Sequence, residues 1–195
     1  MCNNSIIRIG FTGPDGVGKT TMATKVAYAC SDAWCGYAHV ASMADPVYAI
    51  ASEIAGIDVS VLKENKGTKL RDMPYANWGN VEHMLDAHKS GVLDVTVRDL
   101  LRGIGNGMRE SIHPDIWIQY MLKWTSEYPG GSVFFFDDIR YNNEVKHMDL
   151  VFRVCRDGIE YSYHASDSPV ECARDVDADD IDLVVATIFD FVRSE

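Results

Sequence analysis

Gly13, Gly18, Lys19 and Thr20 fill every defined position of the pattern GxxxxGK[ST] within the run Gly13-Pro14-Asp15-Gly16-Val17-Gly18-Lys19-Thr20. Glycine admits backbone angles that a side chain would block, so successive amide N–H groups along such a loop can converge on phosphate oxygens. A helix opening at Lys19 would add the positive end of its dipole. Lys19 is then placed to reach β- and γ-phosphates, and the Thr20 hydroxyl to ligate Mg²⁺. The chemistry these spacings point to is the grip of a triphosphate tail.

Magnesium beside a loop of this kind is usually held, directly or through water, by an aspartate at the end of a buried strand. Asp137 and Asp138 close the apolar run Val133 to Phe136, and both qualify by position. Side chains alternate along a strand, so one of the two is expected to face the phosphates. Arg98, Arg102, Arg109 and Arg140 are candidates for a second phosphate, because arginine's planar fork binds phosphate oxygens in pairs. The first three lie at spacings of four and seven, along one helical face. A solvated, salt-bridged face would carry the same spacing.

These groups need elements to position them. Ile6 to Thr12 predicts a buried parallel strand ending at a glycine, and Lys19 to Ala29 a helix with Met22, Val26 and Ala29 on one side. Tyr37 to Ser42 reads as a second strand, and Asp45-Pro46 opens a helix that Gly56 stops. Gly56 to Gly79 carries Lys63, Lys66, Lys69 and Arg71 among turn residues without a clear period, and reads as an insertion or mobile segment. Helices are expected from Thr96 to Arg109 and from Pro114 to Glu127. Val133 to Phe136, Leu150 to Cys155 and Ile181 to Val185 are strand candidates, with a closing helix from Thr187. The acidic stretch from Asp167 to Asp182 lacks the spacing and glycine of a calcium loop and reads as a solvated face.

Strands alternating with helices imply an α/β protein, since parallel strands need crossover connections. With the glycine-rich loop, the expectation is a P-loop NTPase fold in three layers. Its mostly parallel central sheet would have about five strands, with helices on both faces.

A chain of 195 residues with 47% hydrophobic content is expected to form one domain with a well-filled core. It has no uncharged apolar run of about eighteen residues and no basic, then apolar, N-terminal leader, so a soluble cytoplasmic protein is expected, without a membrane partner. Five cysteines with no CxxC pair fit reduced thiols. The net charge of −11 opposes attraction to DNA, RNA or anionic membranes, and no nucleic-acid partner is expected. A small phosphorylated ligand needs only a local positive cluster. An exposed helical face would be compatible with a homodimer.

Three further segments resemble the phage deoxynucleoside monophosphate kinases, a branch of the P-loop nucleoside monophosphate kinases. Ala44-Asp45-Pro46-Val47-Tyr48 is similar to the family's Ala-Asp-Pro-Leu-Lys, with Tyr48 where the family has lysine. The stretch from Thr96 through Arg98, Leu100, Leu101, Ile104, Gly105 and Arg109 to Pro114-Asp115-Ile116-Trp117 resembles the family's Arg-x-Leu-Leu-x-x-hydrophobic-Gly leading to Asp-x-Trp. Asp138-Ile139-Arg140-Tyr141-Asn142-Asn143-Glu144 is similar to Asp-Val-Arg-Phe-x-Asn-Glu. The resemblance runs in order over residues 1–156 and thins beyond them.

The resemblance implies transfer of the γ-phosphoryl group of ATP to a deoxynucleoside 5′-monophosphate, with Mg²⁺, in the host cytoplasm if the chain is phage-encoded. It implies that residues 13–21, including Thr21, bind ATP together with Arg156, and that Lys19, Asp138 and Arg140 serve transfer. Thr20 and Asp138 would hold the metal, and Asp45, Arg98, Arg109, Trp117 and Arg140 the acceptor. A single kinase domain over 1–195 would carry a substrate-binding helical insertion at about 56–127 and a lid at about 156–170. Two alternatives stay open: a P-loop kinase acting on a hydroxymethylated pyrimidine in DNA, and a P-loop NTPase without a nucleotide acceptor. Trp117 can equally be a core residue, and Asp45 an N-cap.

Overall fold

The computed structural model describes residues 5–33, 37–73, 95–159, 170 and 173–194. Among them, five strands form one all-parallel sheet in the order β2-β3-β1-β4-β5. The strands are β1 Ile7–Thr12, β2 Ala38–Ala41, β3 Val133–Phe136, β4 Leu150–Cys155 and β5 Arg174–Asp177. The connection leaving β1 runs toward the β2 edge, whereas those leaving β3 and β4 run toward the β5 edge. The winding therefore reverses at the carboxyl end of β1, which is where ligands bind in open α/β sheets.

The residue pattern explains why β1 and β3 are central. Every residue of β3 is buried, and in β1 all but Arg8. Alternation along β3 sends Val133 and Phe135 to one side, where they join Ile9, Phe11 and Phe152 in a core closed by Met22 and Val26 of α1, Lys19–Ala33, and Ile188 of the last helix. Phe134 and Phe136 go to the other side and meet Ile118 and Met121. Helices thus cover both faces of the sheet, as a strand buried on both sides requires.

Contacts divide the chain into two compact units, Met1–Met43 with Ile118–Glu195, and Ala44–Trp117. The second unit contains α2, Asp45–Ala55, α3, Val59–Glu64, a 3₁₀ turn at Leu70–Asp72 and α4, Val97–Ser111. Its own core holds Tyr48, Ala51, Leu62, Met73 and Val97. Gly56 ends α2 in the left-handed conformation at φ 63°, and a Thr96–Asp99 capping box starts α4. The helix α5, Ile116–Ser126, follows.

Two sequence expectations are corrected here. Ile181 to Val185 is not a strand but the start of α7, Ile181–Ser194, whose Val184 and Ile188 lie four apart and are fully buried. Asp180 accepts the Leu183 N–H at 3.2 Å, a helix-start hydrogen bond that outweighs the local β-branched run. The last strand is instead Arg174–Asp177, inside the stretch read as a solvated acidic face; it is an edge strand with only Val176 buried. The stretch from Gly56 to Gly79, read as an insertion or mobile segment, contains α3 and the 3₁₀ turn, and its residues 74–79 lie outside the described residues. Residues 160–169 of the expected lid also lie outside them.

Candidate phosphate-binding site

The loop between β1 and α1 carries three glycines with positive φ: Gly13 at 142°, Gly16 at 81° and Gly18 at 105°. Gly13 rests on β4, where a Cβ would come within 2.6 Å of the Val154 carbonyl oxygen. Val17 is fully buried and anchors the loop's middle to the core of the sheet. Met22 N–H to Gly18 C=O, 2.8 Å, begins the helical ladder, and Thr20 and Thr21 are exposed on the first turn.

Lys19 lies back along this loop. Its Nζ donates to the carbonyl oxygens of Gly13 and Pro14, both at 2.8 Å, which leaves one of its three N–H groups. Burial pushes the lysine below its usual pKa; Asp15, 4.0 Å away, opposes this, Arg140 adds to it, and Asp138 and Asp137 oppose it. Arg140 in turn reaches Asp15, with Nη2 3.4 Å from Oδ1. Lys19, Asp15, Arg140 and the two aspartates therefore form one electrostatic cluster at the carboxyl ends of β1 and β3.

The aspartates differ in what holds them. Asp138 Oδ1 accepts the Met43 N–H at 2.6 Å, and the Ser42 hydroxyl also bonds this carboxylate. Asp137 donates its N–H to Ala41 C=O at 3.1 Å, but its buried Oδ1 has no hydrogen-bond partner among the described residues. An orphaned buried carboxylate oxygen is costly unless a cation or donor answers it. Among the described residues no group of three His, Cys, Asp or Glu gathers to hold a metal, so an ion here would take its other ligands from phosphate, hydroxyl and water.

No protein-family model matches the chain, and no curated protein is significantly similar to it. The candidate site is defined by its geometry.

Glu144, to which the sequence assigned no role, sits 1% exposed beneath Arg140. Its Oε2 accepts the N–H groups of Arg140 (2.9 Å) and Tyr141 (3.2 Å) at the start of α6, Asn142–Val145. The visible signal is a glutamate three residues after Tyr141, the capping-box spacing without the usual serine or threonine. On the other side of the loop, a cleft of about 160 Å³ is bordered by Pro14, Cys155, Arg156, Asp157, Ile159 and Asp177. Arg156 Nη2 pairs with Asp179 at 3.3 Å and would be 3.8 Å from a Cβ on Gly18.

Asp45, Arg98, Arg109 and Trp117 belong to the Ala44–Trp117 unit. Trp117 is buried and its indole N–H donates to Gly105 C=O at 2.9 Å, so its polar atom is committed to the packing of α4. Asp45 is not the N-cap, which is Ala44; its carboxylate pairs with Lys63 at 3.2 Å. Arg98 and Arg102 are exposed on α4, and Arg109 lies in its last turn.

Asp138 gives this site a pH signature. Burial, then the like charges of Asp137 and Glu144, push its carboxyl up from 3.8 to about 6, against the bonds from Ser42 and Met43. Raised in the folded state, it contributes stability that is complete below pH 3.8 and lost as pH rises through 6. Asparagine keeps an oxygen for the Met43 N–H without the charge. Relative to the parent, Asp138→Asn should gain on the order of 2–3 kcal/mol between pH 4 and pH 7. Urea denaturation of the metal-free protein at both pH values checks this; a pH-independent difference would refute it.

Proposed function

We propose that this chain has a P-loop NTPase fold and is an ATP-dependent kinase that transfers the γ-phosphoryl group to a deoxynucleoside 5′-monophosphate. The observation that carries the reading is the Gly13–Thr20 loop. Three positive-φ glycines open its backbone at the sheet's switch point, and Lys19 is drawn along it by two carbonyls. That geometry suits main-chain amides and one ammonium group to a triphosphate. The cleft beside Pro14 and Arg156 would receive the donor's base end.

Phosphoryl transfer asks little covalent chemistry of a protein, so the rate comes from alignment and neutralisation of charge. Lys19 keeps one N–H for the β- and γ-oxygens. Arg140, its backbone fixed by the buried Glu144 and its guanidinium 3.4 Å from Asp15, would turn to the migrating group once phosphates compete for it. Thr20 and Asp138 would hold Mg²⁺, and Asp137 adds an oxygen that no hydrogen bond claims among the described residues. The ion, when bound, neutralises phosphate charge. Arg98 and Arg109 are the residues proposed to contact the acceptor.

A coupled assay of ADP release with each of the four common deoxynucleoside monophosphates tests the reading. ATP consumption should rise at least about tenfold with one or more of them, since alignment of an acceptor is the main source of rate. Equal hydrolysis with and without every monophosphate would instead make the chain an NTPase lacking an acceptor.

A further inference from the structure

Two lysines of the Ala44–Trp117 unit share one aromatic ring. Lys63 Nζ lies 5.2 Å and Lys66 Nζ 5.6 Å from the centroid of Tyr48, both inside the range at which a ring face attracts an ammonium group. The ring is fixed, because Tyr48 is buried in the core of this unit. Asp45 answers Lys63, but Lys66 has no ion pair among the described residues.

The segment bearing Lys66 is tied to the start of α4. Arg98 N–H donates to Lys66 C=O at 2.8 Å, Val97 N–H to Thr68 C=O at 3.0 Å, and Leu70 N–H to Val95 C=O at 3.0 Å. Lys63, Lys66 and Arg98 are thereby gathered into one neighbourhood, with Arg102 one helical turn beyond Arg98. Asp99 lies near both arginines, yet its carboxylate already accepts from the Thr96 N–H and hydroxyl. With Asp45 paired to Lys63 and Asp99 near the arginines, Lys66 is left as a cation without an ion pair among the described residues, and a local surplus of positive charge of this kind attracts an anion even in a chain of net charge −11.

We infer that Lys63, Lys66 and Arg98 form a subsite for a phosphate monoester dianion. Its three oxygens accept from several donors at once, which a single carboxylate on the protein does not match. The inference rests on the function proposed above, in which the dianion is the acceptor's 5′-phosphate. It assigns to Lys66 a role in the affinity for that substrate, and makes Tyr48 the platform that positions both ammonium groups.

The test uses the full chain, titrated calorimetrically with each of the four deoxynucleoside monophosphates without ATP. Lys66→Met keeps an apolar stem over Tyr48 and removes only the charge, so folding is preserved. For a monophosphate that binds, this variant should weaken affinity by about ten- to a hundredfold, while Lys66→Arg retains most of it. In the kinase assay the KM for the acceptor should rise in step, and that for ATP stay within about twofold. Affinity in Lys66→Met within about twofold of wild type overturns the subsite, as does a wild-type chain that binds none of the four. Weakened binding in Lys66→Met, with ATP consumption indifferent to monophosphate, would uphold the subsite and remove the kinase reading.

Discussion

Replacing Lys19 with methionine should lower ATP turnover by at least about 10³-fold and leave the fold intact. The two halves of that expectation have separate causes. The ammonium group is the charge of the loop's own sequence held against its backbone, with Nζ 2.8 Å from the carbonyls of both Gly13 and Pro14. A donor fixed where charge develops is among the largest single contributions a site makes to rate. Stability responds differently, because the Lys19 side chain is only 11% exposed and burial lowers its pKa. A lowered lysine pKa means that the folded state disfavours the charge, so an apolar replacement of similar length relieves that cost while losing two hydrogen bonds. Arginine should not rescue, since its planar fork cannot stand in for a compact point charge between two carbonyls. Wild-type turnover in Lys19→Met, measured alongside an unchanged urea midpoint, would remove Lys19 from the site.

How much of this was legible in the sequence depends on how local each cause is. Val133 to Phe136 was readable to the residue because a buried parallel strand is a continuous apolar run bounded by polar residues, and Leu150 to Cys155 because only Arg153 interrupts its apolar run. Arg174–Asp177 was not, because an edge strand that buries only Val176 presents three charged residues to solvent. It is a strand because β4 pairs with it, Val154 with Val176, and because Arg153 meets Asp175 at 2.8 Å. Ile181 to Val185 misled for the opposite reason, as β-branched residues at a helix start look like a strand until the four-residue spacing of Val184 and Ile188 is seen.

The candidate site divides along the same line. The loop is a contiguous motif and could be read directly. Its electrostatic partners could not, since Arg140 meets Asp15 across 125 residues and Asp138 meets Met43 across 95. Only parallel pairing of β2, β3 and β1, with Ala41 beside Phe136 and Gly10 beside Phe136 on the other side, brings those carboxyl ends together. Period and composition carry no information about such pairs. Nor could spacing decide between the two aspartates, whose difference lies in which oxygen the end of β2 occupies.

Gly13 and Gly16 should respond very differently to the same substitution, although both have positive φ. At Gly16, with φ 81°, an added Cβ meets nothing within 4 Å, so alanine there should cost only the backbone strain, about 1–2 kcal/mol. At Gly13, with φ 142°, the Cβ would stand 2.6 Å from the Val154 carbonyl and 3.2 Å from Val17 Cγ1. The first of these is main chain of a paired strand, hydrogen-bonded between β1 and β5, and cannot swing aside as a side chain would. The loop must lift from β4, which pulls on the buried Val17 and moves the Gly13 carbonyl that holds Lys19. Gly13→Ala should therefore destabilise the protein by about 3 kcal/mol or more. It should also cost most of the nucleotide affinity, as displaced amides no longer converge on phosphate. Denaturant midpoints and ATP binding measured on the two variants in parallel decide the matter. If both alanines cost the same, the close approach of the loop to Val154 has no energetic meaning, and the backbone angles alone explain why glycine stands at both positions.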